Sequence, residues 1–299
     1  MNLLERRMNM DAMSHFKKQY YMDYIRLLQR ACDWIGISKG RAAQYEPLIT
    51  EFFKENKRSM EHILAYNESC ELIAIYKLWE AHINHFPCLK QKIREVFSKG
   101  PIMREHEIPK TSSNRSRNDA FVYLLAGKLI SSGVNVVAVD GIVRQGAIGS
   151  YKGADISINC DGAAVDIECK RPQNKRALEK RVKEAHKQLG GRMGIIAVDC
   201  SAFIRPHGKL LEANSAEDAE RSLAILLEKR IKTKIETYLE TNILGFILFA
   251  RSPAMTRVGQ SPILSVDGFP VYTNYRPDSI STWLVIKYIK DAHNKNALK

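Results

Sequence analysis

The sequence predicts an α/β protein, helical through its first hundred residues and built on a mixed sheet flanked by helices thereafter, on three observations. Apolar residues recur at helical spacing up to about residue 98, with no strand-like run among them. Beyond that point, runs rich in β-branched and apolar residues appear at 135–139, 194–199 and 243–250. Between them the stretch KGADISINCDGAAVDIECKRP, residues 152–172, holds two alternating polar–apolar runs joined by Asp161-Gly162, a strong short-range hairpin signal.

In chain order, Tyr20, Tyr24, Leu27, Ala31 and Trp34 form one helical stripe before Gly36, and Pro47 opens a helix carrying Leu48, Phe52 and Phe53. A longer helix is predicted over 59–85, with Leu72, Ile75, Tyr76, Trp79 and Ile83 on its apolar side, ended by Pro87. These aromatics read as core. His82, His85 and Cys88 are zinc-competent, but Pro87 breaks their register and no fourth ligand is evident. A short segment, 89–98, closes the region at Gly100-Pro101, so the boundary falls there: a helical domain at 1–100 for substrate or partner binding, and a second domain at 101–299.

Residues 101–114 carry two prolines and a Thr-Ser-Ser-Asn cluster and read as a linker, in which Glu105 and Glu107 are expected to be solvated. A helix over 115–132 buries Phe121, Leu125 and Leu129. The strand at 135–139 follows, then a glycine-bearing segment, 142–149, with a short strand and turn and no GxxxxGK[ST] phosphate loop. A helix at 173–189 carries Leu178, Val182, Ala185 and Leu189 as one stripe. Ser215-Ala-Glu-Asp218 is a variant capping box opening a helix through Leu239. Strands are expected at 243–250 and 283–289, with 251–278 as loop and one hairpin, where Tyr272, Tyr275 and Arg276 are candidates for substrate contact.

Six cysteines without CxxC spacing imply reduced thiols and a cytoplasmic protein, and no apolar run is long enough to span a membrane. The net charge of +13 implies a polyanionic partner. That charge is concentrated: residues 170–192 carry nine basic and two acidic side chains. Lys175, Arg176, Lys180, Arg181, Lys183 and Lys187 lie on the faces of the 173–189 helix away from its apolar stripe, suited to phosphate-backbone contact, and Arg171 sits just before it.

Side chains two apart on a strand share a face. Asp155, Ser157 and Asn159 therefore point one way and Ile156 and Ile158 the other, while Asp166, Glu168 and Lys170 oppose Val165, Ile167 and Cys169. Charges grouped on such strands need a partner or a metal if enclosed. Two carboxylates suit a hard divalent ion, Mg²⁺ taking one or two carboxylates with waters and substrate phosphate. A lysine aimed at the same spot can orient the attacking water or neutralise the developing phosphoryl charge.

Asp155 followed by Glu168-Cys169-Lys170 resembles the signature of the PD-(D/E)xK, or restriction-endonuclease-like, nuclease superfamily. The resemblance covers roughly residues 115–200, in the order helix, strands, hairpin, basic helix, strand. Glu55-Asn56-Lys57 matches the bare tripeptide in a polar helical stretch and is read as chance. The resemblance implies a restriction-endonuclease-like core at 101–299, an endonuclease dependent on Mg²⁺ or Mn²⁺, and phosphodiester hydrolysis in DNA rather than RNA. It implies metal ligation by Asp155, Glu168 and the carbonyl of Cys169, catalysis by Lys170, and assistance from Asp119 in the preceding helix and Gln188 in the following one. Arg192 stands where many members carry an aromatic residue. A ribonuclease on the same core and a non-catalytic nucleic-acid-binding protein are the alternatives, and a homo-oligomer stays open.

Overall fold

The computed structural model describes residues 3–55, 57, 59–102, 114–147, 153–160, 162–204, 211–237, 242–256, 264–273 and 289. The first hundred residues form α1 (Leu3–Ile35), α2 (Tyr45–Lys54), α3 (Met60–Trp79) and α4 (Leu89–Ser98). Ser59 caps α3, its hydroxyl accepting from the His62 amide, which relieves one of the unpaired donors of a helix start. The helix ends at Trp79, short of the expected residue 85, and a single 3-10 turn, Ile83–His85, follows.

Next come α5 (Asn114–Ser131), β1 (Val136–Val139), β2 (Ile142–Val143), β3 (Ile156–Cys160), β4 (Ala163–Lys170), α6 (Ala177–Leu189) and β5 (Gly194–Asp199). The chain continues through β6 (Leu211–Ala213), α7 (Ala216–Leu227), a π-helical turn at Glu228–Lys232, α8 (Thr233–Glu236), β7 (Ile243–Thr256), β8 (Leu264–Gly268) and β9 (Val271–Thr273). Ser215 caps α7 as expected, its hydroxyl accepting from the Asp218 amide at 3.2 Å.

Among the described residues the strands make one nine-stranded mixed sheet with the path β2-β1-β3-β4-β5-β7-β6, and β8 and β9 also pair β7. β1, β3 and β4 are successively antiparallel, whereas β4, β5 and β7 run parallel. The expected hairpin is the β3–β4 pair, with Ser157 opposite Asp166 and Cys160 opposite Ala163. Of its two-residue turn, Asp161 lies outside the described residues and Gly162 has φ +88°, the left-handed backbone such turns require. β1 and β2 are joined the same way by Asp140, φ +49°, and Gly141, φ +73°.

The sheet is covered on both faces. On one, Val136, Ile156, Ile158, Val165, Ile167, Cys169, Ile195, Ala197 and Phe249 meet α1 to α5 in one continuous core with Leu28, Leu72, Trp79, Ile93, Phe97 and Phe121. On the other, Ile196, Val198, Phe246, Leu248 and Ala250 meet Leu178, Val182, Ala185 and Leu189 of α6 and Leu223 and Leu227 of α7. The helical region is thus the cover of one sheet face, with no hydrophobic boundary at Gly100-Pro101. α5 packs closely on α3 at Gly127, where an added Cβ would lie 2.9 Å from both Leu78 Cβ and Trp79 Nε1. There the Trp79 indole donates to the Tyr123 carbonyl at 2.8 Å.

Residues 251–256, expected as loop, continue β7. Arg251 lies opposite Asp267 of β8, and its guanidinium donates to both carboxylate oxygens at 2.7 and 2.9 Å. A polar Arg-Ser-Pro run that reads as a strand end is held in the sheet by this cross-strand pair. The strand expected at 283–289, Tyr275, Arg276, Glu105 and Glu107 lie outside the described residues. No helix among the described residues is long and apolar enough to cross a membrane.

Candidate active site

Asp155 precedes β3, and Glu168 and Lys170 lie at the far end of β4; the antiparallel register brings them to the same edge of the sheet. Glu168 and Lys170 point to the α6 side, opposite Val165, Ile167 and Cys169. This end of the polar face is enclosed: Glu168 is 1% exposed and Lys170 7%.

Lys170 Nζ donates to Glu168 Oε2 at 3.0 Å and to the Cys169 carbonyl at 3.1 Å, and lies 3.6 Å from Asp155 Oδ2. The same Asp155 oxygen accepts the Cys169 amide at 2.7 Å. The other Glu168 oxygen, Oε1, is fully buried and has no hydrogen-bond partner. Burial, followed by the Asp155 charge, pushes the Glu168 carboxyl up to about 7 against the partial relief of Lys170. An enclosed carboxylate with one oxygen unpaired is costly without a ligand.

Asp119, on the second turn of α5, faces the same cluster. Burial and then the nearby Asp140 and Asp155 charges push it up to about 6, opposed by Arg115 and Lys92. Asp140 is the neighbour that sequence reasoning missed, although Asp140-Gly141 is the same dipeptide signal as Asp161-Gly162. Its carboxylate accepts Lys92 Nζ at 2.7 Å and the Tyr123 hydroxyl at 3.0 Å.

A cleft of about 450 Å³ opens beside Lys170, lined by Arg115, Asn118, Arg171, Gln173, Arg181, Glu184, Lys187 and Gln188. Gln188 therefore shares a cleft with Lys170. Arg192 ties the end of α6 to β4, ion-pairing with Asp166 Oδ2 and donating to the carbonyls of Leu189 and Gln188. Asp166 also accepts the Ser157 hydroxyl at 2.7 Å, so this charge of the hairpin face is fully engaged.

Lys175, Arg176, Lys180, Arg181, Lys183 and Lys187 are all exposed, as expected. A shallower groove of about 430 Å³ on α6 is lined by Arg176, Glu179, Lys180, Lys183, Glu184 and Lys187. Lys183 pairs with Glu179, and Arg181 with Glu184, each at 2.7 Å. Arg171 differs from this set. Its guanidinium is held by Asp199 at 2.6 Å, Glu71 at 3.0 Å and the Arg117 carbonyl at 2.7 Å, so its charge is engaged inside the fold.

Among the described residues no three His, Cys, Asp or Glu side chains converge as a metal-holding group, at His82, His85 and Cys88 or elsewhere. The donor set beside Lys170 is two carboxylates, one with a free buried oxygen, and the Cys169 carbonyl. This fits a hard ion that completes its shell with water and phosphate oxygen. Compared with protein-family models, curated proteins and solved structures, the chain gives no match in any of the three.

Proposed function

We propose that the protein is a metal-dependent nuclease that hydrolyses phosphodiester bonds, with DNA favoured as substrate. The observation that carries the reading is the Glu168 carboxylate, buried with one oxygen unpaired beside Asp155 and Lys170 at the end of a paired strand. The order α5, β1, β3, β4, α6, β5, with three antiparallel strands and a fourth parallel to the third, agrees with a restriction-endonuclease-like core and supports it.

Asp155, Glu168 and the Cys169 carbonyl would hold Mg²⁺ or Mn²⁺. Such an ion supplies a water of lowered pKa and polarises the phosphoryl oxygen. Lys170 lines the cleft, where its ammonium would orient the attacking water and offset charge growing on the phosphoryl group. Asp119, with a carboxyl near 6, can hold a proton at the edge of the site. Gln188 lines the entrance, and the exposed bases of α6 fix the nucleic-acid backbone without reading sequence.

The test is cleavage of labelled single-stranded, duplex and branched DNA and of RNA, with Mg²⁺, Mn²⁺ or EDTA. Glu168→Ala and Lys170→Ala should each lower cutting by about a thousandfold with binding retained. Binding without cutting in every metal would favour the non-catalytic alternative.

A further inference from the structure

Among the described residues none of the first hundred lines the cleft, yet they reach the candidate site from two sides. On one side, Asp140 takes the left-handed backbone conformation, φ +49°, of the two-residue turn that joins β1 to β2. Lys92 of α4 fastens this turn to the helical region, donating to both the carboxylate (2.7 Å) and the carbonyl (2.9 Å) of Asp140. The Asp140 amide in turn donates to the Asp155 carbonyl at 2.7 Å, and the Asp155 carboxylate accepts the Cys169 amide. On the other side, Glu71 of α3, 3% exposed, takes both terminal nitrogens of Arg171, at 3.0 and 3.3 Å. Arg171 adjoins Lys170, and its own amide donates to Asn118 Oδ1 at 3.0 Å.

We infer that Lys92 and Glu71 are positioning residues, Lys92 setting Asp155 through Asp140 and Glu71 setting Lys170 through Arg171. The helical region is then a built part of the catalytic centre, the catalytic roles of Asp155 and Lys170 resting on the nuclease reading above. A shift of even an ångström in a catalytic group costs up to about a hundredfold in rate.

Lys92 is partly exposed, so its variants are expected to fold. Two readouts are taken on the full chain: steady-state cleavage of a labelled oligonucleotide, and amide hydrogen exchange without substrate. In Lys92→Met, kcat should fall at least about tenfold with KM within about twofold. The Cys169 and Asp140 amides should exchange at least about tenfold faster while Ile167 and Ile195 stay protected. Lys92→Arg should recover most of both. Glu71→Gln should lower kcat by about tenfold at constant KM and speed exchange of the Arg171 amide.

Unchanged exchange at Cys169, or unchanged kcat in Lys92→Met, would overturn the inference. So would a loss of kcat that tracks a lower melting temperature and is not recovered by Lys92→Arg. If the wild type cuts nothing while Lys92→Met still frees the Cys169 amide, the positioning stands and the nuclease reading falls.

Discussion

Two regions of this molecule enclose carboxylates, and they treat them in opposite ways. Burial alone would raise the carboxyl of Glu68, but Arg41 and Arg117, at 2.8 and 2.7 Å, outweigh it and hold the group below its usual range. Asp267 behaves alike, held far down by Arg251 and Lys128. Glu71 is raised, because burial, with the nearby Asp199 charge, outweighs the relief from Arg171 and Arg251. At the candidate site the balance reverses. Asp155 and Glu168 share one lysine, with Asp119 close by, and burial pushes Glu168 up to about 7 and Asp119 up to about 6. Carboxylates that hold the fold have cations assigned to them; those at the site have a deficit of positive charge that a divalent ion would fill.

The sharpest way to break this comparison is to remove the region that supplies the balancing groups. A fragment of residues 101–299 should fail to fold, because Leu72, Trp79, Ile93 and Phe97 belong to the same core as the sheet; circular dichroism and solubility will show it. Next in size is Glu68→Ala, which strands two buried arginines and should cost about 3–5 kcal/mol in urea unfolding.

Glu168→Gln should act in the other direction. A carboxyl whose folded pKa lies above its unfolded value, about 4, contributes stability that is present below that value. The contribution is lost as pH rises through the folded value, about 7 for Glu168 and about 6 for Asp119. The Glu168→Gln protein should therefore melt above the wild type at a pH of about 8, with the gap closing towards a pH of about 5. A gap that widens on acidification would contradict the charge deficit. The smallest effect is expected at the solvated face of α6, where Lys180→Glu with Lys183→Glu should weaken nucleic-acid binding about tenfold. The slope of log affinity against log salt should drop by about one for each phosphate that a removed lysine had neutralised.

The β3–β4 hairpin and the stripe of α6 were legible in the sequence because both are local patterns, a two-residue turn between alternating runs and a single apolar face. Asp155, Glu168 and Lys170 could be grouped for the same reason: strand alternation and hairpin register bring them to one edge. What was not legible depends on contacts distant in sequence. Arg171 reads as one more base of a basic stretch, yet Glu71, a hundred positions away, recruits it into the interior. Burial of Glu168 and Lys170 requires α6 to lie over that sheet face, and alternation alone cannot distinguish a wet face from one covered by a helix. The absence of a core boundary at Gly100-Pro101 was hidden too, since an amphipathic helix does not announce which sheet it covers.

The most direct test of the charge deficit is calorimetric titration of Mn²⁺ into the full chain and into Asp155→Ala, at a pH of about 6.5 in two buffers of different ionisation enthalpy. Metal ligation requires deprotonated carboxylates. The wild type should bind the ion and release up to about one proton as Glu168 ionises, and Asp155→Ala should do neither. Failure of the wild type to take up Mn²⁺, or equal binding by Asp155→Ala, would contradict the claim that this charge deficit is a metal site.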